Sequence, residues 1–258
     1  MVLDFAKMNQ ETFDTYFKYG ASDKWDQNNL QVYRKENVII NQDGLWLRIE
    51  KMSENDKQEQ WDKFLKDCAV WEIQRKLTPW IFWSGAIISK GYFDVLSEGR
   101  IIVPSNIPQG QVGMGIWLVD EWHEKDKNTD RKGNYYFEAD FPEAGKNFIQ
   151  KHWCLFFSMH DGLSINQRNL SVTKIHGRFD ETVLNELEWD GEGNFTFSLD
   201  GIPLKHSFVE LNPDVRPSLL ITYAITPQRP DQNFSMTTEP MNVKGIYFKG
   251  NYVPKKTW

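Results

Sequence analysis

From Trp80 to Phe248 the chain is written as short runs of β-branched and aromatic residues separated by Gly, Pro, Asn and Asp, and this spacing constrains the fold most. The runs predict strands at Ile81–Lys90, Tyr92–Leu96, Arg100–Val103, Met114–Val119, Tyr135–Phe141 and His152–Met159. They continue at Leu170–His176, Val183–Trp189, Phe195–Leu199, Phe208–Leu211, Leu219–Ala224 and Val243–Phe248. Turn signals stand between them, notably Pro108-Gln109-Gly110, Asp190-Gly191-Glu192-Gly193 and Asp200-Gly201. A chain that turns this often, with few helical patterns, can bury its alternate apolar faces only by laying one sheet on another. The expected fold is therefore all-β, a two-sheet β-sandwich or jelly roll. Upstream, Asn37–Ile40 and Leu45–Ile49 flank Asn41-Gln42-Asp43-Gly44 and predict a hairpin. Ser53–Lys66 is charged, with Trp61, Phe64 and Leu65 at helical spacing and Ser53 as a cap, and predicts one helical insertion. Residues 4–19 carry a loose helical spacing of Phe5, Met8, Phe13, Tyr16 and Phe17 that reads equally as an irregular lead-in. With no internal repeat, low-complexity tract or linker, a single domain over 1–258 is expected.

One predicted strand is unlike the others. Tyr135-Tyr136-Phe137-Glu138-Ala139-Asp140-Phe141-Pro142-Glu143-Ala144-Gly145 holds three carboxylates in an aromatic run. Side chains alternate along a strand, so Glu138 and Asp140 share one face and Phe137, Ala139 and Phe141 the other. Strict alternation would turn Glu143 away. A one-residue bulge at Phe141-Pro142, where Pro is tolerated, brings it back to the acidic face. Acids in a row repel one another and raise the pKa of at least one. Taken alone, the spacing also fits a solvated acidic strand face.

Composition narrows the partners. A net charge of −6 and a pI of about 5.5 argue against nucleic acid or an anionic membrane. Eleven Trp, nine Tyr and seventeen Phe make an aromatic fraction of 14%, which is high; some of these rings fill the core, and flat rings in a cleft are suited to stacking on sugars. Cys68 and Cys154 have no paired spacing and no His at metal distance, so buried thiols are expected, with one disulfide as the alternative. No run approaches the length of a membrane span. The opening Met1-Val2-Leu3-Asp4-Phe5-Ala6-Lys7 has no basic start followed by an apolar run, so no signal peptide is expected in this chain.

Read in order, the segments resemble glycoside hydrolase family 16, the laminarinase-like enzymes with a concanavalin A-like jelly roll. Asp23-Lys24-Trp25-Asp26 is similar to the family's opening Trp segment, and Glu36-Asn37-Val38 with Asp43-Gly44-Leu45 to its first hairpin. Ser84 to Phe93 resembles the family's "SG-I-SKG-F" strand pair, continued by Gly99-Arg100 and Pro108-Gln109-Gly110. Ile116-Trp117-Leu118 resembles the strand that precedes the acidic motif, and Glu138-x-Asp140-x-x-Glu143 the catalytic signature in its bulged form. Leu187-Glu188-Trp189 with Phe195 to Gly201, and Pro240 to Phe248, are similar to the closing segments. The chain departs from the pattern at Phe137, at Met114-Gly115-Ile116-Trp117, at Ala86 and at Ile102-Val103-Pro104. These positions lie near the family's cleft, so the resemblance does not carry over a particular sugar.

The resemblance implies a retaining, endo-acting glycosidase on a β-linked polysaccharide: a β-1,3- or β-1,3/1,4-glucan, or a galactan. Glu138 would be the nucleophile, Glu143 the general acid/base, and Asp140 the acid between them. Trp117, Trp122, Tyr136 and His160 are the expected substrate-binding residues, with packing as the competing role of Trp117 and a structural role as that of His160. No cofactor and no metal ligand set is expected, and a structural calcium of the kind found in the family is not indicated. The expected partner is a polysaccharide, met outside the cell or on a cell or virus surface. The rival reading is a carbohydrate-binding or structural module of weak or no catalysis, displayed on a virus particle.

Overall fold

The computed structural model describes residues 1–20, 31–67, 82–107, 113–122, 133–147, 152–162, 169–176, 179–224 and 239–254. Two large antiparallel sheets carry most of them. The seven-stranded sheet runs, in spatial order, Asn169–His176, His152–Gly162, Tyr135–Asn147, Gly113–Trp122, Ser218–Ala224, Ala86–Ser89 and Phe17–Tyr19. The nine-stranded sheet runs Ile202–Phe208, Asn194–Leu199, Phe179–Trp189, Gly99–Ile107, Met241–Val243, Gly44–Leu47 and Val38–Asn41, with Gly245–Lys249 and Val2–Asp4 joined beside Gly99–Ile107. This is a β-sandwich of the jelly-roll kind, the expected class.

Alternation builds the core. Ile101, Val103 and Ile107 point inward from one sheet, and Met114, Ile116, Leu118, Leu155, Phe157 and Met159 from the other. The two inner faces meet in aromatic contacts, Phe137 on Phe195 at 5.8 Å and Phe157 on Phe197 at 6.4 Å between ring centres. Each fully buried ring of this kind contributes about 1.5–3 kcal/mol of hydrophobic stabilisation. Trp189 stacks on Phe248 at 6.0 Å and its indole N–H donates to the Asp94 carbonyl, which ties the sheet to the turn after Tyr92–Phe93.

The local elements follow sequence chemistry, with several corrections. The hairpin at 38–47 forms, Val38–Asn41 on Gly44–Leu47, and Gly44 adopts φ +119°, which a side chain would strain. The insertion is a helix, Glu54–Asp67, and Ser53 caps it: its Oγ accepts from the Asp56 N–H while Asp56 accepts from Ser53 in return. This helix buries Phe64 against Val32 and Trp83 of a small three-stranded sheet (Gln31–Tyr33, Phe82–Ser84, Ile49–Lys51) and against Met52, just past the last of these strands. Residues 4–19 hold a 3-10 turn at Phe5–Lys7, a helix at Gln10–Tyr16 capped by Asn9, and a strand at Phe17–Tyr19. The single strand expected at Ile81–Lys90 is two, Phe82–Ser84 and Ala86–Ser89, in different sheets. Gly85 separates them where the chain passes so close to Asn37 that a Cβ would lie 2.4 Å from its carbonyl oxygen. The expected strand at Phe208–Leu211 is instead Ile202–Phe208, an edge strand that tolerates Pro203. The final strand is likewise split into Met241–Val243 and Gly245–Lys249. Cys68, Trp25 and the segment around Pro108 lie outside the described residues, as does the side chain of Cys154.

Candidate active site

The acidic strand, Tyr135–Asn147, lies near the centre of the seven-stranded sheet, between His152–Gly162 and Gly113–Trp122. Burial along it reads the pleat directly. Phe137, Ala139 and Phe141 are fully buried in the sandwich, and after Pro142 the inward position is Ala144 rather than an odd-numbered residue. The parity changes because the strand carries one extra residue. On one side Asp140 pairs with Ser158 and Glu143 with Phe156; on the other Asp140 pairs with Trp117 and Glu143 with Gly115. The bulge therefore sits at Phe141-Pro142, whose peptide bond is cis. Glu138, Asp140 and Glu143 all emerge on the outer face of the sheet.

The surroundings of the three acids differ. Glu138 stands directly across from His160, and the Tyr136 hydroxyl donates to its Oε2. His160 Nε2 lies 3.4 Å from Glu138 Oε1 and 3.3 Å from Asp140 Oδ2. Asp140 is 1% exposed, and neither of its oxygens makes a hydrogen bond, although the Ser158 hydroxyl and Glu138 stand beside it. Burial first, then the charges of Glu138 and Glu143, push its carboxyl pKa well above the usual carboxylate range. Three acids on one face of a strand thus leave the middle one protonated at higher pH than an ordinary aspartic acid.

The remaining expected residues fall on the same face or outside the described part. Trp117 is half-buried beside Asp140, and its indole packs against Gly115, where a Cβ would come within 2.2 Å of the ring. Gly115 is also the residue opposite Glu143, and its missing side chain leaves the space that the indole fills. Tyr136 is buried on the outer face, edge-on to the His160 ring at 6.5 Å. Trp122 ends its strand opposite Tyr135, and its side chain lies outside the described residues. Three features escaped the sequence reading. Ser158 sits beside Asp140, Gly115 makes room for Trp117, and Glu138, Asp140 and His160 offer ligand atoms within 4.8 Å of one another. Only the hairpin register between Tyr135–Asn147 and His152–Gly162 could have revealed the pairing of His160 with Glu138.

No protein-family model matches the sequence, and no curated protein matches it. Solved structures do. A glycoside hydrolase family 16 endo-glucanase from Bacteroides ovatus superposes with a TM-score of 0.64 at 14% identity, over 96% of this chain and 99% of that one. The laminarinase catalytic domain of Thermotoga maritima gives 0.66 at 13% identity, over 97% of each chain. β-Agarase A from Zobellia galactanivorans gives 0.63 at 10% identity, over 99% of this chain and 89% of that one. These superpositions cover 96–99% of this chain: it has the β-sandwich jelly-roll fold of the family 16 glycoside hydrolases.

Proposed function

We propose that the chain is an endo-acting, retaining glycoside hydrolase of a β-linked polysaccharide, with a β-1,3- or β-1,3/1,4-glucan or a galactan as substrate. The observation that carries this reading is the bulge at Phe141-Pro142, which sets Glu138 and Glu143 on one face with a buried acid between them. Double displacement needs two carboxyl groups about 5–5.5 Å apart, one to attack and one to hand over a proton. Glu138 attacks the anomeric carbon while Glu143 protonates the departing glycosidic oxygen, leaving a glycosyl ester on Glu138. Glu143, now a carboxylate, takes a proton from water, which attacks the same carbon and frees Glu138. Two inversions leave the anomeric configuration unchanged.

The neighbours of Glu138 serve these steps. Tyr136 fixes the carboxylate by donating to Oε2 and leaves Oε1 toward His160. Asp140, buried between Glu138 and Glu143, couples electrostatically to both, and burial together with the crowding of their charges raises its own pKa. Trp117 supplies a flat apolar surface beside the acids for stacking on a sugar ring. The proposed substrate classes are in keeping with the structural neighbours: the Bacteroides ovatus enzyme is held in complex with a G4G4G3G product, and β-agarase A with oligoagarose. The test is reducing-end release from laminarin, lichenan, agarose, carrageenan and capsular glycans, with Glu138→Gln beside the wild type. Release by the wild type alone supports the reading. Binding of one glycan without release by either protein replaces it with the carbohydrate-binding module.

A further inference from the structure

Two carboxylates and an imidazole converge on the outer face of the acidic strand in a geometry that proton transfer to a sugar does not require. His160 Nε2 is 3.4 Å from Glu138 Oε1 and 3.3 Å from Asp140 Oδ2. Around a tetrahedral ion with nitrogen and oxygen ligands at about 2.0–2.1 Å, neighbouring ligand atoms stand about 3.3 Å apart. The ligand atoms of all three residues lie within 4.8 Å of one another. A second observation points to a ligand. The Asp140 carboxylate is almost wholly buried and neither oxygen has a hydrogen bond, an expensive arrangement that a cation would offset. We propose that Glu138, Asp140 and His160 form a binding site for a divalent transition-metal ion of the zinc class, which shuts the site off by occupying Glu138.

The donor set selects the ion. One imidazole and two carboxylates at these separations suit zinc, copper or nickel, whereas magnesium and calcium need six or more oxygen ligands at octahedral or wider spacing. Tyr136 steadies the site from behind: its hydroxyl takes Glu138 Oε2 and turns Oε1 toward the ion. The fourth position faces solvent past the Glu138 side chain, which is 17% exposed, so a water completes the coordination. Zinc and substrate then compete for the same carboxylate. The inhibitory consequence rests on the proposed glycosidase function; the binding itself does not.

The test is calorimetric titration of tag-free, EDTA-stripped protein with zinc chloride, with magnesium chloride as the control. The expected result is one zinc per chain, no magnesium heat, and at least a tenfold weaker zinc affinity in His160→Asn and in Asp140→Asn. Thermal melting of each variant checks folding, and zinc raises the melting temperature of the wild type more than that of either variant. In the glycan assay zinc suppresses wild-type release and EDTA restores it. Folded wild type that takes up no zinc, or takes it up as tightly as both variants, overturns the proposal. Zinc binding by a protein that cleaves no glycan would sink the glycosidase reading and keep the metal site. Cleavage without zinc binding would do the reverse.

Discussion

Lys205 tests how the sandwich tolerates a charge. It belongs to the edge strand Ile202–Phe208, yet its side chain turns between the sheets and is 7% exposed. Its Nζ donates to the Phe157 carbonyl at 3.1 Å and lies 5.5 Å from the centre of the Phe197 ring. Burial pushes the ammonium pKa down from 10.5 to about 8, with the negative charge of Asp140 acting weakly the other way. Lys205→Met keeps the reach of the side chain and removes the charge. The displacement from 10.5 to about 8 is worth about 3.5 kcal/mol, at about 1.4 kcal/mol per pH unit. Water near the sheet edge and the lost bond to Phe157 reduce this, so the variant should be about 1–2 kcal/mol more stable at pH 7. The sign follows from proton binding. Below pH 8 both the folded and the unfolded Lys205 are charged and the cost is fully present. Between about 8 and 10.5 the folded state sheds its proton first, so the cost fades as pH rises. Urea unfolding of both proteins at pH 7 and pH 9.5 measures the gap. A Met variant less stable than wild type at pH 7, or a gap that does not shrink at pH 9.5, would refute the argument.

Other perturbations follow from the same geometry. Asp140→Asn in metal-free buffer should stabilise the fold at pH 7, because a carboxyl with a raised folded pKa costs stability once pH exceeds its ordinary value. Urea unfolding should show the gain vanish as pH falls below 3.8. Phe157→Ala removes a fully buried ring facing Phe197 and should cost about 3–5 kcal/mol in the same assay. Tyr136→Phe, which removes the donor to Glu138, should lower kcat/KM about tenfold or more while leaving the thermal midpoint within a few degrees.

Much of the fold is legible in local chemistry. The hairpin at 38–47 is marked by its Asp43-Gly44 turn, the helix at Glu54–Asp67 by Ser53, and the bulge by Pro142, whose place in the strand forces the parity change that Ala144 records. What stays hidden depends on contacts far apart in the chain. Gly85 divides two strands only because Asn37 presses on it, and Ile202–Phe208 forms despite Pro203 because it lies at an edge. The candidate site divides the same way. The shared face of Glu138, Asp140 and Glu143 can be read from spacing, whereas the approach of His160 to two of these acids needs the register with the next strand. Gly115 carries no chemistry of its own, and its role is visible only in the indole packed against it.

The central claim is that Glu138 and Glu143 act from one face by double displacement. Proton NMR of the first product released from the cleaved glycan reads the anomeric configuration before mutarotation. The account predicts β product from β-linked substrate by the wild type and no product from Glu138→Gln. First-formed α product, or an active Glu138→Gln, would contradict it.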